Sequence, residues 1–439
     1  MNRSARLVWM VAGTLALASG IARAQDTTYR GIFLGGNYDP LRDKVGIAVL
    51  PVAGAFGDSV RAIVQRDLDF SDRFTVIPVD SADPSALRPA GKGSGLNYPI
   101  FARLAASAIV QITVVPTGLH VVLHNVAQAQ VVNVTEIALP AQALGRDWRL
   151  GVHRASDEVE RWITGQRGIA STRIAYLRSL SIRVVDSDGA NEITVPTDHN
   201  GFSPAWSPDG ASIVYSTYGD VASRIVLIDL ATGRSRTLAT APRNTLFITP
   251  EFAPDGKSIV FSRSSDTGSD IYTVGLTGSE LPRRLSDGRG TDNTNPTMSP
   301  DGRRIVFVSG RLGHPELYIM DSDGTNVGQL TEYDFADNNY RSDPDWSPDA
   351  RLIAYQERLR GRFQIRTIPA AGGTPKVLTS EGENQQPSWA PDARHLVFTS
   401  TRSGVPQLWV LDVESGRVRQ LTKSAGSKLG AWSPRLAGQ

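Results

Sequence analysis

Ser203-Pro204-Ala205-Trp206-Ser207-Pro208-Asp209-Gly210, with Ile213-Val214-Tyr215-Ser216 close behind, decides the fold of this chain. The pattern returns as Thr249-Pro250-Glu251-Phe252-Ala253-Pro254-Asp255-Gly256 and as Asn295-Pro296-Thr297-Met298-Ser299-Pro300-Asp301-Gly302. It returns again as Asp343-Pro344-Asp345-Trp346-Ser347-Pro348-Asp349-Ala350 and Gln386-Pro387-Ser388-Trp389-Ala390-Pro391-Asp392-Ala393, and a partial copy, Ala431-Trp432-Ser433-Pro434, ends the series. Between positions 206, 252, 298, 346, 389 and 432 the steps are 46, 46, 48, 43 and 43 residues. A period of roughly 40–45 residues with four short strands per unit marks a propeller blade.

Each copy has a physical reading. Ser207-Pro208-Asp209-Gly210 is a turn, because Pro presets φ, Asp favours the next position and Gly accepts a positive φ. Ala350 and Ala393 replace that Gly, so those two turns are expected to be slightly strained or differently shaped. The apolar run after each turn is a buried strand. A second apolar strand follows, as in Glu316-Leu317-Tyr318-Ile319-Met320, then a Gly turn and a short outer strand such as Gln329-Leu330-Thr331. One such sheet cannot bury both faces alone, so blades stack around an axis.

The last copy supplies only an inner strand. Its missing strands lie upstream, where Arg173-Ile174-Ala175-Tyr176 repeats the pattern of Ser212-Ile213-Val214-Tyr215, and Ile182 to Gly189 that of Leu317 to Gly324. Five internal blades plus one shared between the two ends give six, closed without a free edge.

The fold class expected is therefore an α/β N-terminal domain followed by an all-β six-bladed propeller. Residues 1–24 read as a signal peptide, with Arg3 and Arg6, an apolar run and Ala22-Arg23-Ala24 before the cut. Residues 25–43 read as a mobile N-terminal segment, 44–165 as a small α/β domain and 169–439 as the propeller. In the α/β part, Asp58 is the expected N-cap of a helix, and Trp148, Val152, Ala155, Val159 and Trp162 form a helical stripe. The chain has no Cys, which excludes disulfides and lipid attachment to Cys. A net charge of +2 without a long basic run gives nucleic-acid binding no support. No further segment is long and apolar enough to span a bilayer. Export of a soluble mature chain is expected.

Enzyme chemistry finds little footing. Gly93-Ser94-Gly95 lacks the flanking pattern of a nucleophile elbow. His120 and His124 read as partly exposed strand residues rather than metal ligands. Asp186-Ser187-Asp188-Gly189 and Asp321-Ser322-Asp323-Gly324 lack the ligand set of a calcium loop and read as turns. Trp206, Trp346, Trp389 and Trp432 read as wedges between blades. No cofactor and no metal site is expected.

Strand alternation places the loop before each inner strand and the loop joining the second and third strands on one face. That face collects Arg243, Asn244, Asp292, Asn293, Thr294, Asn295, Tyr340, Arg341, Asn384 and Gln385, polar and amide-rich. Functional loops gather at one end of a rigid scaffold, and Arg is enriched in interface hot spots. The Ser-Pro-Asp-Gly turns opposite read as generic.

Ala155-Ser156-Asp157-Glu158-Val159, Ile163-Thr164-Gly165-Gln166-Arg167-Gly168, the Trp-Ser-Pro-Asp-Gly repeats and the terminal Ala431-Trp432-Ser433-Pro434 together resemble the TolB family of the Tol–Pal system. The resemblance runs from about Lys44 onward and implies a non-enzymatic, periplasmic protein-binding role. It implies that the channel mouth receives a Pal-like peptidoglycan-associated lipoprotein, with Asn293-Thr294-Asn295-Pro296 resembling the contacting loop and Asn244 to Phe247 departing from it. It also implies that the segment after the signal, here with Ile32 and Phe33, engages a TolA-like inner-membrane protein, although Tyr29 to Asp43 departs from the family pattern. The assembly would support outer-membrane integrity and constriction at cell division. The alternative is a periplasmic propeller enzyme or a carbohydrate-binding propeller.

Overall fold

The computed structural model describes residues 44–79, 95–197, 199–219, 222–278, 280–287, 291–332 and 340–436. The expected signal at 1–24 and the segment 25–43, with Ile32 and Phe33, lie outside the described residues.

The first unit runs β1 (Val45–Val49), α1 (Gly57–Phe70), β2 (Phe74–Ile77), α2 (Tyr98–Arg103), β3 (Ala108–Val115), β4 (Gly118–Asn125), β5 (Gln130–Ala138) and α3 (Arg146–Thr164). The sheet order is β2-β1-β3-β4-β5, parallel around β1 and antiparallel from β3 to β5. The expected stripe of α3 is its buried face: Trp148, Val152, Ala155, Val159 and Trp162 share one core with Val60, Ile63, Val64 and Leu68 of α1 and with the sheet. Asp58 is not the N-cap. Phe56 holds that position in a left-handed conformation at φ 60, and Asp58 sits in the first turn, where its charge still favours the helix dipole.

Six four-stranded sheets follow. Their innermost strands are Gly201–Trp206, Thr245–Phe252, Asn293–Met298, Arg341–Trp346, Asn384–Trp389 and Lys428–Trp432; these define blades 1 to 6. Blade 6 pairs Lys428–Trp432 with Arg173–Arg178, then Ser181–Asp186 and Ile193–Thr194, so both parts of the chain close the ring as the repeats imply. Trp432 Nε1 donates to Thr172 Oγ1 at 2.8 Å, and the Arg173 N–H donates to Ser433 Oγ at 2.9 Å.

Each inner strand breaks register at one residue. Ser203, Thr249, Asn295, Asp343, Gln386 and Leu429 sit at φ 48, 50, 53, 50, 56 and 56. The side chain two places on then clips the next blade in three cases. Glu251 Oε1 accepts the Met298 N–H at 3.2 Å, Asp345 Oδ2 the Trp389 N–H at 2.6 Å and Ser388 Oγ the Trp432 N–H at 3.1 Å. The tryptophans answer: Trp206 Nε1 donates to Ala431 O at 3.0 Å and Trp389 Nε1 to Asp345 O at 3.2 Å. All four wedge tryptophans are buried.

The α/β unit docks on the Ser-Pro-Asp face. Arg417 of blade 5 lies 2.9 Å from both Asp69 and Asp72, and Arg419 stacks over Phe70 at 4.2 Å. Arg149 of α3 reaches Asp188, in the outer turn of blade 6, at 2.6 Å. The turns of this face are therefore not all generic: those of blades 5 and 6 carry the docking.

Candidate partner-binding face

The opposite channel mouth holds the loops singled out from the sequence. Arg243, Asn244, Asp292 and Tyr340 are exposed, and Thr294, Asn295 and Gln385 are half-buried. Asn293, Arg341 and Asn384 are not available to a partner, with fractional exposures of 0%, 8% and 0%. The register explains this. The first inner-strand position pairs with the end of the second strand, as Asn293↔Ser309, Arg341↔Glu357 and Asn384↔Ser400, so its side chain enters the space between blades. Arg341 there spans two carboxylates, donating from Nε to Glu357 Oε1 at 3.1 Å and from Nη1 to Glu316. Burial pulls its guanidinium down, but Glu316 and Glu357 outweigh this and hold it above its ordinary value.

The two buried asparagines hold up arginines that the sequence reading passed over. Arg402 donates from Nε to Ser400 Oγ at 3.0 Å and from Nη2 to Asn384 Oδ1 at 3.2 Å, and stacks over Phe398 and Trp409 at 5.3 and 5.0 Å. Arg311 repeats the arrangement in blade 3. Its Nε donates to Ser309 Oγ at 2.9 Å and its Nη2 to Asn293 Oδ1 at 3.4 Å, over Phe307 and Tyr318 at 5.8 and 4.4 Å. The signal was present as Phe307-Val308-Ser309-Gly310-Arg311 and Phe398-Thr399-Ser400-Thr401-Arg402, a Phe-x-Ser-x-Arg pattern in two blades.

Along the axis the inner strands line a cavity of about 320 Å³, with Pro204, Pro250, Pro296, Pro344 and Pro387 on its wall. It contains Glu251, Asp343 and Asp345, and no His, Lys or Arg among the described lining residues. Burial pushes Glu251 up to about 8, with the Asp345 charge adding to it, and burial pushes Asp343 and Asp345 up to about 6. Asn295 Nδ2 donates to Asp343 Oδ1 at 2.7 Å.

Among the described residues, two groups elsewhere bring His and Asp close enough to hold a cation: Asp67, His153 and Asp188, and Asp72, His395 and Asp412. Both lie at the contact between the two units, where Arg149 already meets Asp188, Arg394 meets Asp412 and Arg417 meets Asp72. They are ion-pair clusters joining the units. His124 is more buried than expected and bonds Tyr98 Oη at 2.9 Å, whereas His120 lies against Glu136.

The family model described as TolB beta propeller domain matches residues 160–436. The Tol-Pal system protein TolB of Shigella flexneri is 32% identical over 202 residues, which cover 44% of this chain and 46% of that protein. The protein of the same name from Escherichia coli (strain K12 / DH10B) gives the same figures. The aligned stretch thus spans about half the length of these relatives. Among solved structures, TolB from Acinetobacter baumannii shares the fold with a TM-score of 0.75 at 24% identity, over 89% of this chain and 97% of that one. A putative TolB from Agrobacterium tumefaciens follows with a TM-score of 0.50 at 22% identity, over 58% and 91%. The repeats, the closed ring of six blades and the family match over the propeller place this chain in the TolB β-propeller family.

Proposed function

We propose that this chain is the non-enzymatic, periplasmic propeller component of a Tol–Pal envelope complex. In this reading the open channel mouth, with Arg243, Asn244, Asp292, Thr294, Asn295, Tyr340 and Gln385, receives a Pal-like peptidoglycan-associated lipoprotein. The segment 25–43, with Ile32 and Phe33, engages a TolA-like inner-membrane protein. The assembly supports outer-membrane integrity and constriction at division, and the protein works as a monomer.

The observation that carries this reading is the asymmetry of the propeller. One face carries the α/β unit on blades 5 and 6, through Asp72, Arg417 and Asp188. The other presents varied, polar loops around the channel, and variable loops on a rigid scaffold are where binding concentrates. The relatives' names, which describe Tol–Pal proteins, support the partner class. The enzyme alternative would need an acid and a base free to act. Glu251 and Asp345 have raised pKa values, but they spend oxygens on the Met298 and Trp389 N–H groups of neighbouring blades, which fits structural clips. Among the described residues no helix is long and apolar enough to cross a membrane.

The test is capture of envelope proteins by the tagged chain starting at Gln25. A peptidoglycan-associated lipoprotein is the expected catch, and Thr294→Glu is expected to lose it at an unchanged melting temperature. Capture that is unaffected by Thr294→Glu and Arg243→Glu would place the partner elsewhere.

A further inference from the structure

We propose that Arg311 and Arg402, with Arg358 between them, form a preset row of guanidinium groups on the open face that grips the carboxylates of an acidic protein partner. The proposal rests on the reading of that face as the partner-binding one and names the chemistry the partner must present.

Arg311 in blade 3 and Arg402 in blade 5 are built alike. In each, a Ser hydroxyl and an Asn carbonyl take Nε–H and one Nη2–H, and an aromatic pair supports the guanidinium plane. A guanidinium has five donors. These bonds use two, and among the described residues Nη1 of neither arginine has a protein partner. Neither arginine has a carboxylate within ion-pair distance among the described residues; Glu381 is the acid whose charge Arg402 feels. Both are only half-buried, so the remaining donors are open to solvent. Arg358 of blade 4 stacks over Phe363 at 5.3 Å, is exposed, and likewise has no carboxylate partner among the described residues.

Several other arginines of the propeller are paired with carboxylates. Arg341 and Arg366 meet Glu357, Arg394 meets Asp412 and Arg417 meets Asp69 and Asp72. These carboxylate-paired arginines hold blades or units together, whereas Arg311 and Arg402 on the open face are fixed by neutral groups and left without a carboxylate among the described residues. A planar fork with its rotamer already set matches a carboxylate through two parallel N–H bonds and loses little freedom on binding. Stacking on aromatic faces holds the plane without consuming the edge donors. Such charges govern on-rate and salt dependence as well as affinity.

The test uses the full mature chain with Arg311→Glu and Arg402→Glu, singly and together, and with Arg402→Lys and the double Gln variant. Two probes are titrated separately: the soluble domain of the peptidoglycan-associated lipoprotein from the same cell, and a synthetic polyglutamate peptide. The double reversal is expected to weaken the lipoprotein domain by about tenfold or more, to flatten the salt dependence and to abolish peptide binding, with the melting temperature unchanged. Arg402→Lys should fall between, since it keeps the charge and loses the fork. If the parent binds polyglutamate through these arginines but not the lipoprotein, the partner assignment falls and the row stands. If it binds the lipoprotein and the double variant stays within about twofold, the row falls and the partner stands. Binding of neither probe overturns the row. Should the reversals lower the melting temperature, the double Gln variant decides, and full binding by it overturns the proposal.

Discussion

His395 of blade 5 lies between Asp392, 2.7 Å from its Nδ1, and Asp72 of the α/β unit, 3.5 Å from its Nε2. His153 of α3 mirrors it, with Asp67 at 2.8 Å from Nδ1 and Asp188 of blade 6 at 3.9 Å from Nε2. Each buried imidazole ties an acid of its own unit to an acid of the other. Burial pulls His395 down, but Asp392 and Asp72 outweigh it and raise it from 6.5 to about 9, with Arg394, Asp412 and Arg417 completing the charged surround. His153 is raised in the same sense, against burial, chiefly by Asp67.

A folded-state pKa above the unfolded one contributes stability that is full below the unfolded value and lost as pH rises through the folded value. The His395 clamp should therefore hold fully below about pH 6.5 and fail as pH climbs through about 9, a contribution of about 3 kcal/mol. Melting temperatures from pH 6 to 10 should fall more steeply for the parent than for His395→Gln. Parallel curves would show that the clamp carries no proton linkage.

Arg341 was expected to meet a partner and instead bridges Glu316 and Glu357 in the interior. Arg341→Ala should strip buried Glu316 of its guanidinium and leave buried Glu357 with Arg366 alone, and cost about 3–5 kcal/mol, visible as a large drop in melting temperature. Arg243→Glu, at an exposed loop position, should leave melting alone. A stable Arg341→Ala variant would mean that His314 and Arg366 suffice to compensate Glu316 and Glu357.

The ring and its closure were legible because strand period, turn chemistry and wedge aromatics are local and repeat; Trp432 and Arg173–Arg178 revealed the shared blade on that basis. The site was legible only in part. Loop position placed Arg243, Thr294 and Tyr340 together at one channel mouth, but whether Asn293 or Arg341 faces water depends on register with Ser309 and Glu357, a long-range fact. The docking of the α/β unit through Asp72 and Arg417 joins residues 345 positions apart, and no local pattern encodes it.

Closure predicts its own failure. Trp432 wedges blade 6 against blade 5 through Ser388 and is anchored on Thr172. Trp432→Ala should cost about 3–5 kcal/mol, and deletion of 428–439 should abolish cooperative thermal unfolding, read by calorimetry. An unchanged transition after deletion would mean that blade 6 is not needed to hold the ring.

Glu251 is a buried clip whose pKa burial raises from 4.5 to about 8, with Asp345 adding to it. The sign is that of a raised group: its contribution is full below about pH 4.5 and lost as pH rises through about 8. Glu251→Gln keeps an oxygen for the Met298 N–H and removes the charge. It should therefore match the parent near pH 5 and exceed it in melting temperature near pH 9. A variant less stable at both pH values would show that the ionised carboxylate is the form the clip requires.

The turn after each wedge offers a reciprocal test of backbone strain. Gly210, Gly256 and Gly302 sit at φ 71, 67 and 70, and Ala350 occupies the same place at φ 61. A left-handed conformation costs an L-residue roughly 1–2 kcal/mol, whereas Gly adds about 0.5–1 kcal/mol of chain entropy to be lost on folding. The strain is the larger of the two, so Ala350→Gly should stabilise by about 0.5–1 kcal/mol, against the usual direction of an Ala→Gly change. Ala350 is exposed, so no packing is lost. Gly302→Ala should destabilise by a similar amount, and for strain alone, since a Cβ there would meet nothing nearer than Pro254 at 3.9 Å. Denaturant titration of both variants reads the pair. Opposite shifts of similar size are expected, and a loss of stability in Ala350→Gly would mean that the blade 4 turn has relaxed around its alanine.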